Sequence, residues 1–93
     1  MPDANRRELV HMIERHKIVL IEDDVYGDLR FDGVRPKPAE FHSRQGRVLT
    51  CGSFSKTAAP GYRIGWVLAG RYTAEIERLK RSFSCSSGLL QQL

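Results

Sequence analysis

The residues most suited to chemistry lie in one short segment, Gly52–Trp66, where a lysine stands between hydroxyl side chains and precedes an arginine flanked by glycines. Only the neutral amine of a lysine can attack a carbonyl carbon to form a Schiff base, and nearby cationic charge favours that neutral form. Lys56 has Arg63 seven residues away. Ser53, Ser55 and Arg63 supply hydroxyl and guanidinium donors suited to phosphate oxygens. The segment therefore indicates a reactive amine beside a phosphate-binding site.

A second group of polar residues follows the first predicted strand, with Glu22, Asp23 and Asp24 preceding Tyr26. Ligands of open α/β sheets bind at the carboxyl ends of the strands, where these side chains are expected. Because strand residues alternate between the two faces, only one of the two aspartates points inward. Alternation alone leaves both registers open. Glu22 is interpreted as a structural residue or one that acts behind the site.

The elements that must position these residues begin with a helix and a buried strand. Asn5 and Glu8 have the spacing of a capping box, and apolar residues then recur at helical spacing, which predicts a helix over about Arg6–His16. Lys17–Ile21 is a short, branched apolar run typical of a strand covered on both faces. A helix followed by a buried strand favours an α/β fold.

The rest of the chain continues this pattern. Gly27–Gly46 is rich in Asp, Gly, Pro and Arg, which predicts a long loop. Arg47–Gly52 and Ile64–Gly70 are predicted strands, and Thr73 is placed to cap a second helix. One face of that helix carries apolar residues at helical spacing, Ile76, Leu79 and Phe83.

The Gly52–Trp66 segment resembles the S-x-S-K-x-x-x-P-G-x-R-x-G signature of fold-type I pyridoxal-phosphate enzymes, the aminotransferase class I and II family, and Asp23 to Tyr26 resembles the family's D-x-x-Y. The resemblance implies that residues 1–93 are the central part of a large domain with three α/β/α layers, without the small domain. It also implies pyridoxal 5'-phosphate as the cofactor, bound as a Schiff base to Lys56, which is the catalytic residue.

The same resemblance assigns the other cofactor contacts. The phosphate would be held by the hydroxyls and the guanidinium of Ser53, Ser55 and Arg63. Asp23 would bond the pyridine nitrogen and keep it protonated. Asp23 is favoured over Asp24 because its three-residue step to Tyr26 fits the commoner family pattern. Tyr26 would donate to the phenolic oxygen of the cofactor ring.

The implied function is an aminotransferase that moves an amino group between an amino acid and a 2-oxo acid, as a homodimer whose sites borrow residues from the neighbouring subunit. Decarboxylases, lyases and synthases share the cofactor chemistry. The chain also resembles the aminotransferase-like domain of MocR-type regulators of the GntR group, where an upstream winged-helix domain binds DNA and the cofactor serves as a ligand sensor. A third class is an α/β interaction fragment without a cofactor. The fragment alone is expected to be inactive.

Size and composition limit the remaining classes. The 93 residues are below the usual size of a domain, and the run Gly88–Leu93 ends without a cap, which predicts a truncated piece.

Cys51 and Cys85 form no metal or disulfide pattern, alone or with the histidines, so no metal site is predicted. The start shows no signal peptide or membrane anchor, which predicts a cytoplasmic protein. The net charge of +4 is spread along helices and loops without interleaved aromatics, so solvated faces explain it better than a nucleic-acid surface.

Three minor interpretations complete the sequence. Tyr62 and Trp66 flank Arg63 and are interpreted as packing residues rather than cofactor contacts. The polar cluster near the end, Ser84, Ser86 and Ser87, is interpreted as a turn.

Overall fold

The structure is a computed structural model that describes residues 1–58 and 60–84, and these form two α-helices and one sheet of three strands. In chain order the elements are α1 (Asp3–Arg15), β1 (Leu20–Asp23), β2 (Val48–Ser53), β3 (Gly65–Leu68) and α2 (Thr73–Phe83). Short 3₁₀ helices lie between them at Ala39–His42, Pro60–Tyr62 and Gly70–Tyr72. The predicted α/β fold is confirmed.

The sheet is mixed, with β2 in the centre. β1 runs parallel to β2 and places Asp23 opposite Cys51, whereas β3 runs antiparallel to β2 and places Gly65 opposite Ser53. Parallel neighbours end at the same edge of a sheet. Asp23 and Ser53 therefore lie at one edge, where the loop from β2 to β3 begins.

Helix α1 covers one face of the sheet. Its buried Val10 and Ile13 pack with Val48 and Ala39, and the partly buried Leu9 and Leu20 extend this cluster. On the opposite face of β1, Ile21 is 67% exposed. This contradicts the prediction that β1 is covered on both faces.

The start of α1 differs from the prediction. The helix begins at Asp3 and no side chain caps it, so Asn5 lies inside the helix and the predicted capping box is wrong. Pro2 precedes the first turn with a φ of −59°, which suits entry into a helix. The Asp3 carboxylate pairs with Arg7 at 3.2 Å and with the ring of His42 at 2.9 Å. The hydrogen bond with His42 lowers the pKa of Asp3.

The strand β1 begins three residues later than predicted because the chain needs those residues to leave α1. Lys17 has a φ of +57°, and the N–H of Ile18 donates to the carbonyl of Ile13 at 2.8 Å. This is the hydrogen bond of a Schellman motif, with lysine in the left-handed position where glycine is usual. Only at Leu20, whose N–H donates to the carbonyl of Arg47 at 3.0 Å, does pairing with the next strand begin.

A carboxylate ties α1 to the end of the long loop before β2. Oε1 of Glu14 accepts hydrogen bonds from the Ser43 hydroxyl at 2.9 Å and from the N–H groups of Arg44 and Gln45 at 2.7 and 2.8 Å. Partial removal from water acts to raise the pKa of Glu14, but the bonds from Gln45, Ser43 and Arg44 outweigh it and lower the pKa. The loop is thus fixed at the point where it enters β2.

Helix α2 begins at Thr73, which is its first residue rather than the cap that was predicted. The Thr73 hydroxyl donates to the carbonyl of Gly70 at 2.9 Å. On the apolar face of the helix Ile76 is half-buried, while Leu79 and Phe83 are 49% and 87% exposed. Of the helices in residues 1–58 and 60–84, none combines the length and apolarity that crossing a membrane requires.

The indole of Trp66 lies on the backbone of Gly52, its partner across the β2–β3 pair. A Cβ atom built on Gly52 would stand 2.2 Å from Cζ2 of Trp66, closer than any tolerated contact. Residues at alternate positions of β2 point to opposite faces, so this contact lies on the face away from Cys51 and Ser53. Trp66 is therefore a packing residue, as interpreted from the sequence.

We expect Gly52→Ala to destabilise the fold by about 1–3 kcal/mol, because the added methyl group must displace the Trp66 indole. The measurement is urea unfolding of the variant and the unsubstituted protein. Gly61→Ala is the matched control, since a Cβ at Gly61 has no heavy atom within 4 Å. Equal losses of stability in the two variants would contradict the packing argument.

Candidate functional site

Hydrogen bonds at its base close the loop that carries Lys56. The Ser53 hydroxyl donates to the carbonyl of Ile64 at 3.1 Å, and the N–H of Phe54 donates to the same carbonyl at 3.1 Å. Ser53 Oγ also accepts from the N–H of Ser55 at 3.1 Å. The two ends of the loop are thereby joined beside the edge of the sheet.

Within this loop Lys56 lies on a single tight turn. The N–H groups of Thr57 and Ala58 donate to the carbonyl of Phe54 at 3.3 and 3.0 Å. The Lys56 side chain is exposed, and no ion pair found in residues 1–58 and 60–84 involves it. No carboxylate among these residues holds the Lys56 amine by an ion pair.

Arg63 returns from the far end of the loop toward Ser55. Its φ is +54°, a left-handed conformation that costs a residue with a side chain about 1–2 kcal/mol. The guanidinium Nη1 donates to Ser55 Oγ at 3.4 Å. Ser55 is the acceptor in this bond, so its own hydroxyl hydrogen can be donated elsewhere, as can the remaining N–H groups of Arg63. Ser55 and Arg63, both assigned to phosphate binding from the sequence, thus lie within hydrogen-bond distance of each other.

Ser53 differs from Ser55 in how its hydroxyl is used. The Ser53 hydroxyl hydrogen is engaged by the carbonyl of Ile64, whereas Ser55 accepts from Arg63. The two serines are therefore not equivalent donors in this structure. Binding of an anion by Ser53 would require its hydroxyl to turn away from Ile64.

Asp23 and Asp24 have different surroundings. Asp23 shares the sheet face of its partner Cys51, away from α1, and its Oδ1 accepts a hydrogen bond from the N–H of Val25 at 3.2 Å. The N–H of Asp24 continues the pairing by donating to the carbonyl of Cys51 at 2.8 Å, while its carboxylate is paired with Arg35. The carboxylate that faces the same way as Ser53 is that of Asp23.

A cleft of about 540 Å³ lies beside the carboxyl end of β1, and Asp23, Asp24 and Tyr26 are among its lining residues. Tyr26 is 63% exposed. Two groups of predicted residues are thus brought together: Ser53, Ser55 and Arg63 by hydrogen bonds on the loop, and Asp23 with Tyr26 around the cleft. No hydrogen bond among the described residues joins one group to the other.

Glu22 holds the strand from the face covered by α1. Its carboxylate accepts from the N–H of Ala39 at 2.8 Å and from the Thr50 hydroxyl at 3.5 Å, and it lies 4.0 Å from Nε of Arg6. Thr50 is almost completely buried. These contacts agree with the structural role interpreted from the sequence.

Sequence reasoning assigned no role to Arg35, which the structure places next to the site. Arg35 lies in the predicted loop between Gly27 and Gly46 and pairs with both Asp24 and Asp28. Loop ion pairs have no periodicity, so spacing gave no signal for this contact.

Of the minor interpretations, Tyr62 is 54% exposed in its 3₁₀ turn, and Ser86 and Ser87 fall outside the described residues.

Comparison with known proteins identifies the family. Residues 2–93 match the aminotransferase class I and II family. The chain belongs to that family. The resemblance found in the Gly52–Trp66 segment is thereby confirmed for the chain as a whole.

Relatives within the aminotransferase class I and II family include both enzymes and regulators. The chain is 46% identical over 84 residues to the uncharacterised HTH-type transcriptional regulator YjiR of Escherichia coli, with 90% of this chain and 18% of that protein covered. It is 33% identical over 94 residues to aromatic-amino-acid aminotransferase 1 of Thermococcus litoralis, with 100% of this chain and 22% of that protein covered.

Among solved structures, the kynurenine aminotransferase of Pyrococcus horikoshii is similar over 99% of this chain and 23% of its own, with a TM-score of 0.90 and 32% identity. The chain thus spans about a fifth of the length of the relatives it matches. Its fold is that of the corresponding part of an aminotransferase of this family.

Proposed function

We propose that this chain carries the covalent attachment site for pyridoxal 5'-phosphate, with Lys56 as the attaching residue. One observation supports this most directly: the guanidinium of Arg63 is held at Ser55, one residue before Lys56, on a loop closed at its base. A primary amine next to cationic and hydroxyl donors matches an aldehyde that carries a phosphate.

The donor set of the site fits this cofactor. Pyridoxal phosphate supplies an aldehyde for a lysine amine and a ring that accepts the electron pair released at the α-carbon of a substrate. Ser55 and Arg63 offer hydrogen-bond donors to a phosphate, and Ser53 adds a third if its hydroxyl turns from Ile64. At the same edge of the sheet Asp23 offers a carboxylate, which holds a proton on a ring nitrogen, and Tyr26 offers a phenol that donates to the ring's phenolic oxygen.

For the whole protein we propose transamination between an amino acid and a 2-oxo acid. Lys56 would then be the base that moves a proton from the α-carbon of the amino acid to C4′ of the cofactor in the first half of the cycle, and it would move a proton in the opposite direction in the second half. The likeness to solved aminotransferases over nearly the whole chain supports this proposal. We further propose that the protein acts as a homodimer, as its membership of the aminotransferase class I and II family suggests.

A second candidate function is regulation of transcription. It is favoured by one comparison, because identity to an HTH-type regulator is 46% whereas identity to the aromatic-amino-acid aminotransferase is 33%. In this case Lys56, Ser55 and Arg63 hold the cofactor as a sensor of an amino compound, and a separate domain binds DNA.

The experiment that tests cofactor attachment is borohydride reduction followed by peptide mapping. The protein, expressed from its complete reading frame, is mixed with pyridoxal phosphate and reduced, which fixes the cofactor to whichever lysine it bonded. Lys17, Lys37 and Lys80 are internal controls. We expect label on Lys56, with the three controls unlabelled. Equal labelling of all four lysines in a folded protein would reject the proposal.

The cofactor-loaded protein, taken before reduction with borohydride, separates the two candidate functions. Transamination predicts that an amino acid converts the bound cofactor to its amino form and releases a 2-oxo acid. Regulation predicts that an amino compound changes the affinity for DNA from the protein's own promoter region without release of an oxo acid.

A further inference from the structure

The turn that follows β1 carries Tyr26 and is held by two backbone hydrogen bonds. The N–H of Gly27 donates to the carbonyl of Asp24 at 3.1 Å, and the N–H of Leu29 donates to the carbonyl of Tyr26 at 3.0 Å. Tyr26 itself is 63% exposed and forms no side-chain hydrogen bond with the residues that the structure describes. The backbone from which the Tyr26 phenol projects is therefore held by the turn.

Arg35 fastens this turn from outside. Its Nη2 donates to Oδ2 of Asp24 at the start of the turn, and its Nη1 donates to Oδ1 of Asp28 near the end of the turn. One guanidinium thus connects two residues that are four positions apart in the chain, with Tyr26 midway between them. The planar guanidinium of an arginine suits such a bridge, because two of its nitrogens can donate to two acceptors while only one side chain is held in place.

The Asp24 carboxylate is held in place by its surroundings as well as by Arg35. A Cβ atom built on Gly27 would lie 2.4 Å from Oδ1 of Asp24, so the carboxylate crosses directly over the glycine backbone. The Asp24 side chain is 24% exposed, compared with 61% for Asp28, which makes the Asp24 contact the better shielded of the two. Shielded ion pairs that belong to a network contribute more than isolated exposed pairs.

We propose that Arg35 is a positioning residue for Tyr26, acting by bridging Asp24 and Asp28, and that Asp24 serves this bridge and not the cofactor. The proposal rests on the proposed function in one respect, namely that the phenol of Tyr26 meets the bound cofactor. The bridge itself is a property of the chain without the cofactor. It assigns separate tasks to the consecutive carboxylates: Asp23 lies on the sheet face of Cys51, whereas Asp24, which also lines the cleft, is engaged by Arg35 and holds the turn.

The first test needs no cofactor. Hydrogen exchange is followed at the amides of Gly27 and Leu29 in the protein expressed from its complete reading frame. We expect Arg35→Gln to speed exchange at both amides by about two- to fivefold, because the turn opens more often once the bridge is lost. Arg30→Gln is the matched control, since Arg30 pairs with Asp32 in the same loop without spanning the turn. Equal exchange in Arg35→Gln and Arg30→Gln overturns the proposal.

The second test asks whether the effect passes through Tyr26. The absorbance of the lysine-bound cofactor is titrated with pH in the unsubstituted protein, in Arg35→Gln, in Tyr26→Phe and in the double variant. We expect each single variant to shift the midpoint in the same direction and the double variant to match Tyr26→Phe. Additive shifts overturn the positioning role. If Lys56 takes no cofactor, the proposed function fails while the exchange experiment still decides the bridge.

Discussion

Replacing Lys56 with alanine is expected to lower the rate of transamination by at least about 1,000-fold, because the variant loses both the attaching amine and the base that moves the α-carbon proton. The rate is measured as conversion of the bound cofactor by an amino acid in a single turnover. A small primary amine added to the solution is expected to restore part of the rate, since it supplies a proton acceptor in the space that the side chain leaves.

The control for Lys56 is Lys80→Ala, which removes an exposed lysine of α2 and is expected to leave the rate within about twofold. If Lys56→Ala retained the rate of the unsubstituted protein, another lysine would be the attaching residue. If the protein turns out to be a regulator, the same pair of variants is compared by retention of the cofactor after dialysis, and only Lys56→Ala is expected to lose it.

The second large effect distinguishes the two consecutive aspartates. We expect Asp23→Asn to slow transamination by about 100- to 1,000-fold, because a neutral amide cannot stabilise the protonated nitrogen of the cofactor ring as a carboxylate does. Asp24→Asn is expected to stay within about tenfold, since its carboxylate is already paired with Arg35. Single-turnover rates of both variants, measured with the same amino acid, make the comparison.

The reverse order of these effects would show that the register is wrong and that Asp24 meets the cofactor. Both substitutions remove one charge and keep the size of the side chain, so each serves as the control for the other. Circular dichroism of the two variants checks that neither has lost the fold.

The order of the elements could be predicted from the sequence because it depends on local patterns, and the residues of the candidate site were proposed from local motifs. Apolar periodicity located the helices and strands. The Gly52–Trp66 motif singled out Ser55 and Arg63, which the structure joins by a hydrogen bond, while their roles toward a cofactor stay predictions. Element boundaries were less predictable. The left-handed Lys17 delays β1, and Pro2 allows α1 to begin before the expected cap.

Contacts made between distant loop residues were not predictable from local patterns. The bridge from Arg35 to Asp24 and Asp28 depends on how the loop folds back, and Glu14 reaches Ser43 for the same reason. The Ser53 hydroxyl donates to the carbonyl of Ile64 instead of remaining available to a ligand. This bond depends on the antiparallel pairing of β3 with β2, and the sequence pattern did not indicate the direction of β3. Roles assigned to single residues through the family remain predictions until the variants are measured.

The left-handed backbone of Arg63 places two opposed demands on one position. Glycine would adopt a φ of +54° without strain, but it would remove the guanidinium that reaches Ser55. An engineering programme that selects for thermal stability alone would therefore favour replacing this arginine, whereas selection for cofactor retention would keep it. Position 63 is thus a place where stability and activity trade against each other, and stabilising substitutions in this protein are better sought away from the loop.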